Sequence, residues 1–372
     1  MTRSLWLEGL RDELIQYLQT LEAPDQPGRF FPCVEGATEV GKQVALGFSC
    51  FAVKIYYTLG LWEKLHPRRR EAWIAFLKSF QVDGNPTDDR VTHNAFIDPP
   101  EIRYLAAHVP WHQRIINRIF FPKRLTPVQR VIIAETKQAI ATLAEVGESA
   151  KRPYRGFPVT PAGVRDHLRR LNWTRPWGAG GQASALVVFL KTQAPRFLGQ
   201  AEVQGLLDVS AQFFESLADE QTGAYFRGGA PGHGQLINGA MKVLTALDWL
   251  EVPIHYPDTL IDTCLERLPS SDGCHLVDAV YVLYRCLQQT QYKRAKIQAY
   301  CAQVLDMIKQ HYNPDGGFSY GIGRSQTGYY GVPISRGLAE SDIHGTCLLA
   351  WAVAMILEIL DNNPDGWRVI KP

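Results

Sequence analysis

Residues 339–360 read AESDIHGTCLLAWAVAMILEIL and carry the strongest structural signal in the chain. The first part of this stretch is polar and includes Asp342 and His344. From Thr346 onward the stretch is apolar, with no charged residue before Glu358. A helix that is apolar on all sides is a buried helix rather than a surface helix. The stretch therefore predicts a buried helix whose N-terminal end carries an acid and an imidazole.

The same kind of unit recurs along the chain. A helix end followed by a tight acidic or glycine-containing turn occurs around Asp25, Asp83, Asp219, Asp272, Asp315 and Asp365. The last four of these turns are 43 to 53 residues apart, which is enough for two helices and two connections. The sequence therefore predicts a repeat of helical hairpins.

The predicted helices are of two kinds. Strongly apolar helices are predicted at 46–61, 183–190, 236–250, 275–287 and 346–360, and amphipathic helices at 69–80, 203–217 and 292–310. Alternation of fully buried and half-buried helices predicts an inner and an outer ring. Alternating β-branched runs bounded by turn residues are scarce, so no extended sheet is expected.

Composition limits the function classes. The chain has 372 residues, 46% of them hydrophobic, and a formal net charge of +2, which argues against nucleic acid as a partner. The longest uncharged apolar run, 347–357, is too short to span a membrane, and the N-terminus lacks the pattern of a signal peptide. Seven scattered cysteines are typical of reduced thiols, so a cytoplasmic location is expected.

The segment 108–177 differs from the repeat. Residues 111–125, WHQRIINRIFFPKRL, interleave basic residues with Ile and Phe, a pattern typical of an element on a membrane surface or of a lid. Thr126-Pro127 and Thr160-Pro161 each place a capping hydroxyl before a proline, which predicts two helix starts. We expect one domain over 1–372, with 108–177 as an insertion or lid-bearing segment.

These repeated turns and apolar helices resemble the α/α toroid of terpene cyclases and protein prenyltransferases. The sharpest piece is DIHGTCLLAWAV, which is similar to the Asp-x-Asp-Asp-Thr-Ala stretch of class II terpene cyclases. Asp342 falls on the first Asp of that motif, His344 on the middle Asp that donates the proton, and Gly345 on the last. The resemblance implies an all-α fold of the (α/α)6 toroid type. It also implies a protonation-initiated cyclase for a polyisoprenoid or prenylated aromatic, a lipid-like small molecule.

Such chemistry needs a strong acid in a dry site and aromatic faces for the cation. Asp342, Asp278 and Asp98 are the candidate acids, with His344 as a hydrogen-bond partner of the acid. Helix capping is the alternative role for Asp342, and turn initiation is the alternative for Asp98. The candidate substrate-binding residues, mostly from the long loop 316–337, are Phe318, Tyr320, Tyr329, Tyr330, Arg336 and Trp177.

Two other functions fit the same fold. One is a carbohydrate-active toroid, a polysaccharide lyase or hydrolase, in which Tyr329, Tyr330, Arg336 and His344 would act on an acidic sugar. The other is a non-catalytic toroid that binds a lipid or a partner. Asp272-Gly273-Cys274-His275 is a weak zinc candidate, so neither a metal nor a cofactor is predicted. The sequence gives no indication of the oligomeric state.

Overall fold

Helical hairpins form almost all of the structure, a computed structural model that describes residues 5–83, 90–108 and 125–372. These residues hold six apolar helices: α2 (Leu46–Thr58), α5 (Pro127–Glu145), α7 (Pro176–Thr192), α9 (His233–Leu250), α11 (Gly273–Leu287) and α13 (Ile343–Ile359). The others are α1 (Leu10–Leu21), α3 (Pro67–Ser79), α4 (Pro99–His108), α6 (Pro161–Arg170), α8 (Gln200–Glu215), α10 (Pro257–Leu265) and α12 (Arg294–Lys309). Short 3-10 helices lie at Leu5–Leu7, Trp62–Lys64, Arg90–Thr92 and Ala194–Arg196.

The six apolar helices close into a ring. Contacts run from α2 to α5, α7, α9, α11 and α13 in that order, and α13 returns to α2. The more polar helices α1, α3, α6, α8, α10 and α12 lie between them in sequence and form the outer layer. This arrangement confirms the predicted all-α toroid with an inner and an outer ring.

Burial explains which helices form the inner ring. All residues of α2 except Tyr57 are buried, as are most residues of α13. A helix buried on every side needs neighbours on every side, and only the inner ring supplies them. The inner helix α5 begins at the Thr126-Pro127 signal, where the Thr126 hydroxyl accepts a hydrogen bond from the Gln129 amide at 3.1 Å.

The repeated turns share one construction. Antiparallel bridges close four of them, between Glu22 and Phe30, Gln81 and Phe96, Ala218 and Tyr225, and Tyr312 and Phe318. Within the third turn, Gly223 has a φ of +68°, and a Cβ there would lie 2.4 Å from the Leu260 amide nitrogen. Glycine is therefore required at this position by both backbone conformation and space.

The extended structure among the described residues is a small β-hairpin. Strands β1 (Gly328–Tyr329) and β2 (Val332–Pro333) pair antiparallel around a turn in which Tyr330 and Gly331 both have positive φ. The hairpin packs on α4, and no extended sheet occurs in the described ranges, as predicted.

The segment 108–177 contributes α5 and α6 to the two rings. The basic amphipathic stretch of this segment lies outside the described residues except for Leu125, so the lid and the membrane contact stay predictions. The single-domain assignment likewise stays a prediction. None of the helices in the described ranges is both long and apolar enough to cross a membrane.

Candidate active site

Five of the six inner helices each carry one polar side chain that is linked to the others by an ion pair or by electrostatic influence: Lys54, Lys137, Lys242, Asp278 and His344. We call this set the polar lining. Lys54 on α2 is 5% exposed and donates to Gln138 Oε1 at 3.4 Å. Lys242 on α9 lies 3.9 Å from Asp278 Oδ1 on α11.

The same two lysines influence the pKa of Lys137 and of His344. Burial, followed by the charges of Lys54 and Lys242, holds the pKa of Lys137 well below its ordinary value. Burial and the same two lysines lower the pKa of His344 to about 3. Lys54 and Lys242 therefore act on the pKa of both groups. The polar lining thus carries an excess of positive charge.

His344 is held by aromatic rings and one amide. Its ring stacks on Phe51 at a centroid distance of 4.6 Å and on Tyr320 at 5.6 Å. Its Nδ1 lies 2.7 Å from Gln326 Oε1, an atom that only accepts hydrogen bonds. Nδ1 therefore carries the proton, and Nε2 keeps a lone pair. The half-buried imidazole is neutral and oriented, as a general base requires.

Asp342 fixes the surroundings of His344 and is the N-cap of α13. Its Oδ1 accepts from the Gly345 amide at 2.7 Å, and its Oδ2 accepts from the Tyr320 amide at 2.7 Å and the Gln326 amide at 3.0 Å. Burial raises the pKa of Asp342 to about 6, although these backbone donors oppose the shift. The carboxylate thus positions Tyr320 and Gln326, the two residues that hold the imidazole.

Asp278 has few partners. It is 1% exposed, and within the described part of the chain its Oδ2 has no hydrogen-bond partner. Burial raises its pKa to about 6, while the charge of Lys242 opposes the shift. A buried carboxylate without hydrogen bonds is costly, so its retention needs a reason other than stability. Asp278 is therefore a better candidate for chemistry than Asp342.

Asp98 plays the same structural role at α2 that Asp342 plays at α13. Its Oδ2 accepts from the backbone amides of Ala45 at 2.7 Å and Leu46 at 2.9 Å, where α2 begins. Like Asp342 it is 1% exposed, and burial raises its pKa. The structure thus places Asp98 and Asp342 at helix starts and Asp278 in the polar lining.

A pair of buried acids lies behind the hairpin. Glu101 and Glu135 are 0% and 1% exposed, and the Tyr329 hydroxyl donates to Glu135 Oε1. Burial raises the pKa of both acids. Gly47 permits this contact, because a Cβ there would lie 2.3 Å from Tyr329 Oη. Glu135 therefore holds the Tyr329 hydroxyl, and the Tyr329 ring centroid is 4.5 Å from that of Tyr330.

The remaining predicted site residues are in different places. Phe318 is 0% exposed and packs on Tyr312, so it belongs to the core. Tyr330 is 47% exposed at the tip of the hairpin. Arg336 is exposed and donates to the Glu35 carbonyl at 2.9 Å. Trp177 is half-buried at the start of α7, with its ring centroid 5.8 Å from that of His275.

The zinc candidate has other contacts. His275 Nδ1 lies 3.1 Å from Asn238 Nδ2, and burial raises the pKa of Cys274 to about 11. Within the described ranges, no three His, Cys, Asp or Glu side chains are grouped so that they could hold a metal ion.

Sequence reasoning missed the three lysines and the two buried glutamates. Their signal is a single charge inside an apolar helix, as Lys54 in FAVKIYY and Lys242 in AMKVL. Glu135 and Lys137 stand together in IIAETKQAI, inside a helix that sequence analysis assigned to an insertion. A lone charge at a buried position is a functional signal because burial of a charge is costly.

No protein-family model and no curated protein matches the sequence. Several solved structures are similar over almost the whole chain. A polysaccharide lyase has a TM-score of 0.48 and 11% identity, with 95% of this chain and 98% of that chain covered. A possible member of the GH105 family from Salmonella enterica has a TM-score of 0.45 and 12% identity, with 96% of this chain and 98% of that chain covered. A cellobiose 2-epimerase from Bacillus thermoamylovorans has a TM-score of 0.42 and 14% identity, with 94% of this chain and 99% of that chain covered.

These structures are α/α toroid enzymes that act on carbohydrates, and the prediction of a terpene cyclase is wrong. The polar lining gives the physical reason, because the ammonium groups of Lys54 and Lys242 would repel a carbocation. The motif that carried the resemblance has a structural role here, since Asp342 is occupied by three backbone donors.

Proposed function

We propose that the protein cleaves an acidic carbohydrate, with His344 as the general base. The observation that carries this proposal is a neutral, oriented imidazole beside two buried or half-buried ammonium groups, those of Lys54 and Lys242. Positive charge in a partly desolvated site favours an anionic ligand, and a sugar carboxylate meets that requirement.

The arrangement favours β-elimination over hydrolysis. Elimination needs a neutral base and a proton donor beside it, and the oriented imidazole of His344 with the neighbouring ring of Tyr329 supplies that pair. In β-elimination, His344 Nε2 takes the proton from C5 of a uronate and the C4–O4 bond breaks. The hydroxyl of Tyr329, whose ring centroid lies 6.2 Å from that of His344, protonates the leaving O4, and a C4=C5 double bond forms without consumption of water. Lys54 and Lys242 would bind the C5 carboxylate and stabilise the charge that develops on it.

Substrate binding would also activate the base. The charges of Lys54 and Lys242 contribute to the low pKa of His344 in the free protein. A bound carboxylate neutralises part of those charges, which raises the basicity of the imidazole. His344 would therefore become a useful base only when the acidic sugar is in place.

The test is incubation of the protein with a panel of uronate polysaccharides. β-elimination predicts a rise in ultraviolet absorbance from the conjugated double bond and products whose summed mass equals that of the substrate. Both signals should disappear in His344→Gln. Products whose summed mass exceeds that of the substrate by one water would show hydrolysis instead of elimination. Cleavage that survives His344→Gln would overturn the assignment of the base.

A further inference from the structure

Glu135 on α5 and Glu101 on α4 are buried acids with almost no polar partners. They are 1% and 0% exposed. Within the described ranges, Glu135 Oε2 and both carboxyl oxygens of Glu101 have no hydrogen-bond partner. The groups that act on Glu135 are the Tyr329 hydroxyl and the charge of Asp98, and no cation is among them. Because a carboxylate buried without a cation is costly, both acids are favoured in their neutral form.

Tyr329 joins Glu135 to the proposed site. The one hydrogen bond of Glu135 among the described residues links its Oε1 to the Tyr329 hydroxyl. The rings of Phe48 and Phe51 lie against the Tyr329 ring, at centroid distances of 5.4 Å and 6.0 Å. These contacts fix the phenol, with its hydroxyl on Glu135 and its ring centroid 6.2 Å from that of His344.

The protonation state of Glu135 decides whether Tyr329 is a useful acid. Beside a carboxylate, the phenolic proton is committed to Glu135 Oε1, and its loss would place two negative charges side by side. Beside a neutral carboxyl group the hydrogen bond can reverse, so that Glu135 donates to Tyr329 Oη and the phenolic proton is free for a ligand. Burial raises the pKa of Glu135 to about 8, although the Tyr329 hydrogen bond opposes the shift, so the neutral form prevails at pH 7.

We propose that Glu135 is a neutral positioning residue that donates a hydrogen bond to Tyr329 Oη and returns a proton to Tyr329 after the phenol has protonated the leaving group. This inference rests on the proposed function, because it assigns a proton supply to the same elimination.

The proton transfers balance without a further reactant. As the C4–O4 bond breaks, its electron pair takes the phenolic proton of Tyr329. The carboxyl proton of Glu135 moves to Tyr329 Oη, which restores the phenol and leaves Glu135 as a carboxylate. The proton that His344 took from C5 is released to solvent, and Glu135 takes up one proton after product release. In sum, one proton leaves C5 and one arrives on O4.

Infrared spectroscopy tests the neutral carboxyl group without any substrate. The C=O stretch of a carboxylic acid lies at a higher frequency than the bands of a carboxylate. The difference spectrum of wild type minus Glu135→Gln at pH 7 should therefore contain a carboxylic acid band. Glu148→Gln is the matched control, because Glu148 is 43% exposed and pairs with Lys78 at 2.7 Å, and its difference spectrum should contain carboxylate bands alone. Carboxylate bands in place of the acid band for Glu135 would overturn the inference.

A double-mutant cycle tests the link from Glu135 to Tyr329. Glu135→Gln should lower kcat for a uronate polymer at least about tenfold and leave KM within about twofold, because it removes a proton supply and not a substrate contact. Tyr329→Phe should lower kcat by about 10²-fold or more. The double variant should be no slower than Tyr329→Phe alone, because Glu135 acts only through the phenol. Additive losses would show that Glu135 acts on the fold and would overturn the inference.

The two readouts separate this inference from the proposed function. Elimination by the wild type without an acid band from Glu135 would overturn the inference and leave the proposed function intact. An acid band from Glu135 without elimination of any uronate polymer would support the neutral carboxyl group, and it would overturn the proposed function together with the return of a proton to Tyr329.

Discussion

The helix starts and the ring interior use the same residue types for different purposes. At the starts of α2 and α13, Asp98 accepts two backbone hydrogen bonds and Asp342 accepts three. In the ring interior, Asp278 has one oxygen without a hydrogen bond in the described structure, and its cationic neighbour is 3.9 Å away. Backbone hydrogen bonds commit Asp98 and Asp342 to the helix starts, although Asp98 Oδ1 also lacks a partner in the described structure. Asp278 accepts no backbone hydrogen bond from the described residues, so its carboxyl group is available to a ligand.

The largest effect on activity is expected from a substitution in the ring interior. His344→Gln should lower cleavage of an acidic carbohydrate by about 10²–10⁴-fold, because a general base contributes that much to the rate. The measurement is kcat/KM from the ultraviolet assay. His108→Gln, at the exposed end of α4, is the matched control and should retain the wild-type rate. Equal loss in both variants would place the effect outside the ring interior.

Substitutions of the aspartates at the helix starts should lower the stability of the protein. Asp342→Ala leaves three backbone amides, one buried and two partly buried, without their acceptor, so the free energy of unfolding should fall by about 3 kcal/mol. Asp98→Ala removes two such bonds and should cost about 2 kcal/mol. Urea denaturation measures both values. A stability of Asp342→Ala equal to that of the wild type would contradict the capping role.

The pH dependence of stability tests the electrostatics of His344. Its pKa is about 3 in the folded protein, against an ordinary value of about 6.5, so the unfolded chain binds one more proton between these values. This contribution to stability is fully present above pH 6.5 and is lost as the pH falls toward 3. Between pH 6 and 4 the wild type should lose about 1 kcal/mol per pH unit more than His344→Gln. Parallel curves for the two proteins would contradict a neutral imidazole.

The smallest effect on stability is expected for Asp278→Asn. The substitution removes a buried charge whose counter-ion is 3.9 Å away, so the free energy of unfolding should change by less than about 1 kcal/mol. Binding of an acidic sugar should become tighter, because Lys242 loses its competing carboxylate. A loss as large as that of Asp342→Ala would mean that the two aspartates do not differ in role.

The sequence was sufficient for the architecture because burial leaves a periodic trace. The apolar runs at 236–250 and 275–287 correspond to α9 and α11 within a few residues. The inner helix α5 was predicted as a helix, but its place in the ring was not. Its charged residues, among them Glu135 and Lys137, made it resemble a surface segment. Whether a charge is buried depends on the neighbouring helices, which periodicity does not specify.

The site was harder to predict than the fold. The resemblance to terpene cyclases suggested Asp342 as an acid with His344 as its hydrogen-bond partner. The structure gives them separate tasks, because Asp342 caps α13 and the His344 imidazole is held by Gln326. Lys54 and Lys242 are nearly 200 residues apart in sequence, on two helices that belong to the same inner ring. Burial, followed by the charges of these two lysines, lowers the pKa of Lys137 and His344, and no sequence motif signals this combination.

Calorimetric titration of the intact protein with a matched pair of oligosaccharides tests the central claim most directly. One ligand is a uronate oligosaccharide, and the other is its neutral counterpart with the carboxylates reduced to alcohols. We expect binding of the acidic ligand that weakens with added salt and is lost in a Lys54→Gln, Lys242→Gln double variant, and no comparable binding of the neutral ligand. Equal affinity for both ligands, or tighter binding of a polyisoprenoid, would contradict an anion-binding ring interior.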